Sequence, residues 1–252
     1  MLRRELEYFF GAVRFFTRLP VPAWVGHSAE ALNRSARYFC AVGLLVGGIG
    51  ALVYLGALQL WPSPVAVLLS LGATIYATGA FHEDGLADMV DGLGGGWDKA
   101  RILDIMKDSR VGSYGVVVMV LALLGKFLLL AALDARLVPF ALLAGHALSR
   151  FCSTALLATM DYVREDQLAK AKPLATRLSA GGLLFSLLFV LPVLILLPLA
   201  NVLAGCALAA LATLWLAGKF KRWLGGYTGD CLGATQQLSE IAFYLGLLAQ
   251  WI

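Results

Sequence analysis

The sequence predicts an all-α, polytopic integral membrane protein of about seven transmembrane helices, with an amino-terminal amphipathic helix at the membrane interface. Three observations carry this reading. Sixty per cent of the 252 residues are apolar, 14% are charged and the mean hydropathy is +0.80, more apolar surface than a soluble domain of this size can hide. The apolar residues gather in Leu- and Ala-rich runs near the twenty residues a bilayer crossing needs, without the alternation of barrel strands. The basic residues fall between alternate runs.

Along the chain, residues 1–19 come first. Leu2, Leu6, Phe9, Val13 and Phe16 recur at spacings of four and three, while Arg3, Glu7, Arg14 and Arg18 take another face and Pro20 and Pro22 end the pattern. Such a helix lies flat on a membrane surface. A signal peptide is the rival reading, but Arg14 interrupts its apolar core and no small-x-small cleavage pattern follows. The runs then read as 40–60, 64–81, 114–133, 137–159, 181–199, 201–218 and 231–252, the last polar at its start. Six or eight spans are also compatible with these boundaries.

Of twenty Lys and Arg, six lie in residues 1–39, four in 81–113, four in 160–180 and three in 218–237. This alternation places the amino terminus and those three loops in the cytoplasm, all on one face of a single helical membrane domain over 1–252. The net charge of +4, spread this way, gives no nucleic-acid surface. Cys40, Cys152, Cys206 and Cys231 are scattered without ligand spacing and read as small packing residues.

The stretch FHEDGLADMVDGLGGGWDKARILDIMKDSRVGSYG, residues 81–115, holds seven carboxylates. Asp84, Asp88 and Asp91 are spaced by four and three, so a helix continuing from the second span lines them on one face. No Lys or Arg is interleaved from Phe81 to Asp98, as a merely solvated face would have. A divalent cation relieves the repulsion, and carboxylate oxygens suit Mg²⁺ or Mn²⁺ rather than zinc. His82 and Glu83 point to other faces, where they can support the site or a second ion. Gly85, Gly92 and Gly94–Gly96 permit close backbone approach. Lys107, Asp108 and Arg110 follow, beside Gly112 and Gly115. Acids for a metal, bases for anions and glycines for close approach point to phosphate chemistry at a membrane surface.

A second constellation, GGYTGDCLGATQQLSE over 225–240, opens the last run on the same side. Thr228 or Asp230 can cap its helix, and a Gly-rich turn at a helix start is an anion site by geometry and dipole. Gly229, Gly233, Gln236 and Glu240 form a stripe that serves either substrate or tight helix packing. In the fourth run, Arg150 reads as an inward anion partner and His146 as a packing residue. Lys126 reads as snorkelling to the interface. For most of Arg164, Lys170, Lys172 and Arg177 in 160–180 the ordinary cytoplasmic basic excess is a sufficient account.

HEDGLADMVDGLGGG, IMKDSRVGSYG and GGYTGDCLGA, together with FFTRLPVP and DYVRED, resemble the cobalamin synthase (adenosylcobinamide-GDP ribazoletransferase) family over nearly the whole chain. Departures occur at Gln237, where the family often has an acid, and at Val163, which with Arg164 replaces an Ala-Arg pair. The resemblance implies a multi-pass enzyme of the bacterial inner membrane, its active site facing the cytoplasm. It further implies that the 3′-hydroxyl of α-ribazole or its 5′-phosphate attacks the cobinamide-linked phosphorus of adenosylcobinamide-GDP, releasing GMP with Mg²⁺ required. Carried over by motif, Glu83, Asp84, Asp88 and Asp91 are metal ligands or catalytic acids. Asp91 is the choice for base, with Asp88 and Lys107 as further catalytic residues. By the same carry-over Asp104, Lys107, Asp108, Arg110, Thr228 and Asp230 would contact phosphates, nucleotide or metal; the matched Arg164, and Arg150, Gly229 and Glu240 on the residue reading above, are further substrate contacts.

Three other readings compete. A CDP-alcohol phosphotransferase of phospholipid synthesis also spaces aspartates on membrane helices, but expects Asp-Gly-x-x-Ala-Arg where this chain has Asp-Gly-Leu-Ala-Asp. A divalent-cation transporter would place its acids at mid-bilayer on broken spans. An additional scaffold role for other cobalamin-pathway enzymes stays open.

Overall fold

The computed structural model describes residues 2–26, 28–163 and 175–250. Among them the structure is helical apart from one isolated parallel bridge, Tyr162 to Tyr227. Helix α1 (Leu2–Phe16) buries Ala12, Val13 and Phe16 and leaves Leu2 and Leu6 exposed. Helix α2 (Ala29–Ser35), capped by Ser28, runs through a 3₁₀ turn (Ala36–Tyr38) into α3 (Phe39–Ala57). After α4 (Ser63–Thr78) the chain turns into α5 (Phe81–Gly95) and the short α6 (Lys99–Ile105). Helices α7 (Ser113–Ala132), α8 (Val138–Thr159), α9 (Ala180–Leu194), α10 (Leu199–Leu224) and α11 (Gly229–Leu247) complete the bundle.

Among the described residues, four helices are long and apolar enough to cross a membrane: Glu30–Ala57, Ser113–Ala132, Val138–Thr159 and Leu199–Leu224. The pair α4–α5 makes a fifth if counted as one broken span. Two of the seven runs expected from the sequence, those of α9 and α11, fall outside this count by length or composition. Helix α9 has 15 residues, about 22 Å of rise, and α11 opens with polar residues. Nor is 218–237 a loop: α10 continues to Leu224 and α11 begins at Gly229, leaving a four-residue connection.

The expected continuation of the second span into the acidic helix is also corrected. Helices α4 and α5 meet at 85°. Two successive left-handed residues, Gly79 (φ 68°) and Ala80 (φ 59°), make the corner, and their N–H groups donate to Tyr76 and Ile75 carbonyls. Glycine adopts this backbone freely, whereas alanine does so at a cost of about 1 kcal/mol. The acids thereby leave the line of α4.

Backbone-to-backbone packing fixes the bundle. A Cβ on Gly47 would stand 2.6 Å from the Leu142 carbonyl oxygen, and Gly43 is pressed against His146 in the same way, so α3 and α8 touch along small residues. Gly205 and Gly246 do the same for α10 and α11. Helix α8 is largely enclosed, while α7 and α10 present Leu121, Leu124, Leu128, Leu203, Leu211 and Leu214 outward. One hydrophobic core, including Leu86, Met89, Ile102, Phe220 and Tyr227, lies beneath the acidic helix. A second, including Tyr54, Val67, Leu130, Leu142 and Phe243, holds the other ends of the helices.

Candidate active site

Helices α5 and α11 cross at glycines. A Cβ on Gly85 would lie 3.1 Å from the Asp230 Cα and 3.3 Å from the Gly233 Cα, and one on Gly233 would lie 3.2 Å from the His82 carbonyl oxygen. Larger residues would separate the helices. The crossing sets Asp230 opposite Gly85, and so beside the α5 stretch that carries Asp84 and Asp88. Asp84 is exposed, and Asp88 and Asp230 are half-buried. Thr228 is the α11 cap: its Oγ1 accepts the Cys231 N–H at 3.3 Å. Gly225 (φ 79°) supplies the left-handed residue that ends α10. The position of a Gly229 Cβ meets open space, so the backbone there is approachable.

The four expected metal ligands do not converge. Among the described residues, no three His, Cys, Asp or Glu side chains gather where they could hold an ion. Glu83 turns inward, accepting a hydrogen bond from Gln237 Nε2 at 3.0 Å. Asp91 is buried and accepts the N–H groups of Gly112 at 2.7 Å and Gly115 at 2.9 Å. It thus satisfies donors at the start of α7 that otherwise have no helical partner. A Cβ on either glycine would strike the Asp91 carboxylate. Those glycines admit the protein's own carboxylate, a duty the expectation of ligand approach did not foresee.

Asp104 and Lys107 are exposed at the end of α6. Arg110 Nη2 donates to Asp108 Oδ2 at 2.6 Å, with the Arg110 side chain 87% exposed. The hydrogen bonds from Arg110 hold the Asp108 carboxyl down at about 2. Arg164, Lys170 and Lys172 lie outside the described residues.

Two further expectations are corrected deeper in the bundle, those for Lys126 and Glu240, and Arg150 lies there too. Lys126 does not snorkel; it is buried and pairs with Glu240 at 3.0 Å. Glu240, expected to face substrate, has no solvent exposure and also accepts from Gln236 at 2.6 Å and Tyr244 at 3.0 Å. Arg150 is buried, donates to the His146 carbonyl at 3.0 Å and lies over the Phe16 ring; among the described residues no anion pairs with it directly. Gln236 continues the network to Ser149 (2.9 Å) and Gln237 (2.8 Å). Two opposite charges stranded in apolar runs were the available signal for the Lys126–Glu240 pair.

An aromatic pocket adjoins the crossing and was not foreseen. Phe15, Phe16, Phe81, Tyr162 and Tyr227 line it with His82, Gly229 and Gly233. His82 stacks on Phe16 with centroids 5.2 Å apart. Tyr162 and Tyr227 are brought together by paired backbone bonds, Val163 N–H to Tyr227 O at 3.0 Å and Tyr227 N–H to Asp161 O at 2.9 Å. Burial, with Tyr162 and Asp161 nearby, pushes the Tyr227 phenol up.

Fold and site define a membrane-type helical protein whose open carboxylates and aromatic pocket share one end of the bundle. Its lineage is settled by sequence comparison: residues 8–248 match the model of the cobalamin-5-phosphate synthase family, and the chain belongs to that family. Similar proteins include the adenosylcobinamide-GDP ribazoletransferase of Shewanella woodyi, 46% identical, with 98% of each chain covered. Those of Vibrio cholerae (47%, covering 99% of this chain and 96% of the relative) and Leptothrix cholodnii (48%, 98% and 97%) carry the same name. No solved structure matches the chain.

Proposed function

We propose that the protein is an adenosylcobinamide-GDP ribazoletransferase, catalysing the assembly of the nucleotide loop of cobalamin. The supporting observation is full-length similarity to proteins of that name, in a chain that presents Asp84, Asp88 and Asp230 around the Gly85–Gly233 crossing. The relatives named above support this reading over a phospholipid transferase or a cation transporter.

The reaction is a phosphoryl-centred displacement. The acceptor ribose 3′-oxygen forms a bond to the cobinamide-linked phosphorus, the bond from that phosphorus to GMP breaks, and the hydroxyl proton passes to a carboxylate. We assign the proton to Asp88, because Asp91 is already committed to the α7 backbone. Lys107 and Arg110, exposed on the α6–α7 connection, supply cationic donors to the diphosphate oxygens. Holding both substrates on one rigid crossing supplies orientation, the main thing a phosphoryl transfer needs from its protein.

The donor set fits Mg²⁺ of a particular kind. Mg²⁺ commonly takes one or two carboxylates and completes its shell with water and substrate phosphate, which agrees with exposed Asp84 near Asp230 and the want of a closed cluster among the described residues. Asp84 and Asp230 would hold the ion, whose chemistry is to neutralise the diphosphate.

The same reading extends to topology. Helix α11 is enclosed by α5, α7, α8 and α10, so its polar residues face protein and do not bar it from spanning. With α9 and the bent α4–α5 unit it brings the crossings towards seven. Helix α1 rests at the interface on Leu2 and Leu6, and the acidic crossing faces the cytoplasm of a bacterial inner membrane. The test is incubation of detergent-purified protein with adenosylcobinamide-GDP, α-ribazole and Mg²⁺. GMP and cobalamin should appear together; their absence in the presence of all three would reject the assignment.

A further inference from the structure

A second cavity, of about 400 Å³, lies beyond Phe15 and Phe81, whose rings line both it and the aromatic pocket. Arg14, in the last turn of α1, and Arg18, just beyond its end, stand in its wall. Arg14 is held in place by the carbonyls of Val25 (3.0 Å) and Gly26, and those bonds leave its positive charge uncompensated. Among the described residues neither arginine has a carboxylate within ion-pair distance, and the Arg18 guanidinium makes no hydrogen bond. Glu7 is the one acid in the lining, and its Oε1 is engaged by the Gly26 N–H at 3.2 Å.

The corner between α4 and α5 shapes this wall. Gly79 lines the cavity, and a Cβ there would collide with Arg18 Nε. Glycine is therefore required at 79 twice over, by its left-handed backbone and by the guanidinium against it. Two guanidiniums brought to one cavity repel each other unless an anion joins them, and their planar forks match phosphate oxygens. The volume suits a small molecule. From Phe81 in the cavity wall to Asp84 at the open crossing is under one turn of α5, about 4.5 Å of rise. A single sugar phosphate can thus have its phosphate among the arginines and its ribose at the acids.

We propose that this cavity seats the 5′-phosphate of the acceptor, so that Arg14 and Arg18 make the protein select α-ribazole 5′-phosphate over α-ribazole. The assignment rests on the ribazoletransferase reading and adds to it a subsite. It also connects the two names carried by the similar proteins: a family described by a product bearing a 5-phosphate, and relatives described by the ribazole they transfer. The ligand chemistry recognised is a phosphate monoester on a ribose. A phospholipid headgroup presents related chemistry at this depth and is the alternative source to be separated.

The experiment uses full-length protein in phosphatidylcholine nanodiscs, with Arg18→Gln, Arg14→Gln and Arg14→Lys variants. Arg18→Gln is the principal variant, because that side chain supports no other bond among the described residues. KM for α-ribazole 5′-phosphate should rise roughly 10- to 100-fold, the range of a charge-assisted hydrogen bond. KM for α-ribazole and for adenosylcobinamide-GDP should stay within about twofold, and Arg14→Lys should recover part of the loss. Calorimetric binding of the two acceptors, without donor, reads the cavity independently of turnover and should show the same discrimination. A wild type that binds the phosphorylated acceptor more tightly yet releases no GMP would refute the transferase reading and keep the subsite. Equal effects on both acceptors would overturn the subsite. So would unchanged acceptor discrimination with loss of copurifying phospholipid, which would give the arginines to a lipid headgroup.

Discussion

Helices α5 and α11 each contribute to two polar clusters, one open and one closed. Adjacent residues separate between them: Asp84 is exposed at the crossing, while Glu83 is buried against Gln237. On α11, Asp230 stands at the crossing and Glu240, ten residues on, is sealed among Lys126, Gln236 and Tyr244. Composition does not distinguish these carboxylates. Water access and the identity of their partners do. In the closed cluster the helices satisfy one another, so its polar groups specify how α5, α7, α8 and α11 pack. In the open cluster a carboxylate can exchange its partner for a substrate, and that is where chemistry is possible.

The comparison predicts its largest effect at the open cluster. Asp88→Asn should lower the transfer rate by about 10²- to 10⁴-fold, the range for losing a positioned proton acceptor. Asp84→Asn should fall comparably and raise the Mg²⁺ concentration needed for half-maximal rate. Thermal unfolding in detergent should be nearly unchanged for both. Near-normal rates would show that the crossing is only a wetted helix end.

At the closed cluster the order reverses. Lys126→Met leaves Glu240 as an unpaired charge in the bundle, and Glu240→Gln strands Lys126; each should destabilise by about 3–5 kcal/mol. The double variant should recover part of that loss, because neither member of the pair is left facing an uncharged partner, while Arg150 still loses the nearby Glu240 charge. Thermal melts of the four proteins give the coupling. Single variants that melt normally but have lost turnover would move Glu240 back to the substrate.

Asp91 lies between the two regimes and so sharpens the division. Asp91→Ala should cost about 1–3 kcal/mol by orphaning buried N–H groups at the start of α7. Asp91→Asn keeps an acceptor oxygen and should retain activity within about tenfold. Full inactivation of Asp91→Asn in a normally folded protein would restore this residue as the base.

How much of this was legible in the sequence follows the same division. The helical class, a helix over the first residues, the Thr228 cap and the gathering of 81–113 with 225–240 all rest on local periodicity, composition and charge, which act within a few residues. The 85° corner at Gly79–Ala80 was invisible because an apolar run on one side and an acidic helix on the other look like one long helix. The spacing of Asp84, Asp88 and Asp91 gave a shared face, but a face says nothing about what is packed against it. Gly112 and Gly115 claimed Asp91 from twenty or more residues away. Lys126 and Glu240 are 114 positions apart, and only the bundle makes them neighbours. The aromatic pocket draws on α1, α3, α5, α8, α11 and two connections, a combination for which no single stretch carries a motif.

The smallest effect is expected at Asp108 and Arg110, where the pair is open on every side. Arg110 is 87% exposed and Asp108 37%, so solvent and salt screen their attraction and the bond adds little to stability. In the proposed mechanism its use is to aim a guanidinium at the diphosphate before substrate arrives. Asp108→Asn should therefore raise KM for adenosylcobinamide-GDP a few-fold, leave kcat nearly unchanged and leave the melting temperature where it was. The pH dependence has a definite sign. Hydrogen bonds from Arg110 hold the Asp108 carboxyl down at about 2, below its ordinary value near 3.9. The stabilisation is thus complete above that ordinary value and is lost only as pH falls through about 2. Between pH 5 and 9 the pair stays ionised and cannot shape a rate profile. Wild type and Asp108→Asn should show pH–rate curves of one shape, offset by a constant factor. A limb near neutrality that moves in Asp108→Asn would mean that this carboxylate titrates with the reacting groups, and the boundary between the open site and its surroundings would have to be redrawn to include it.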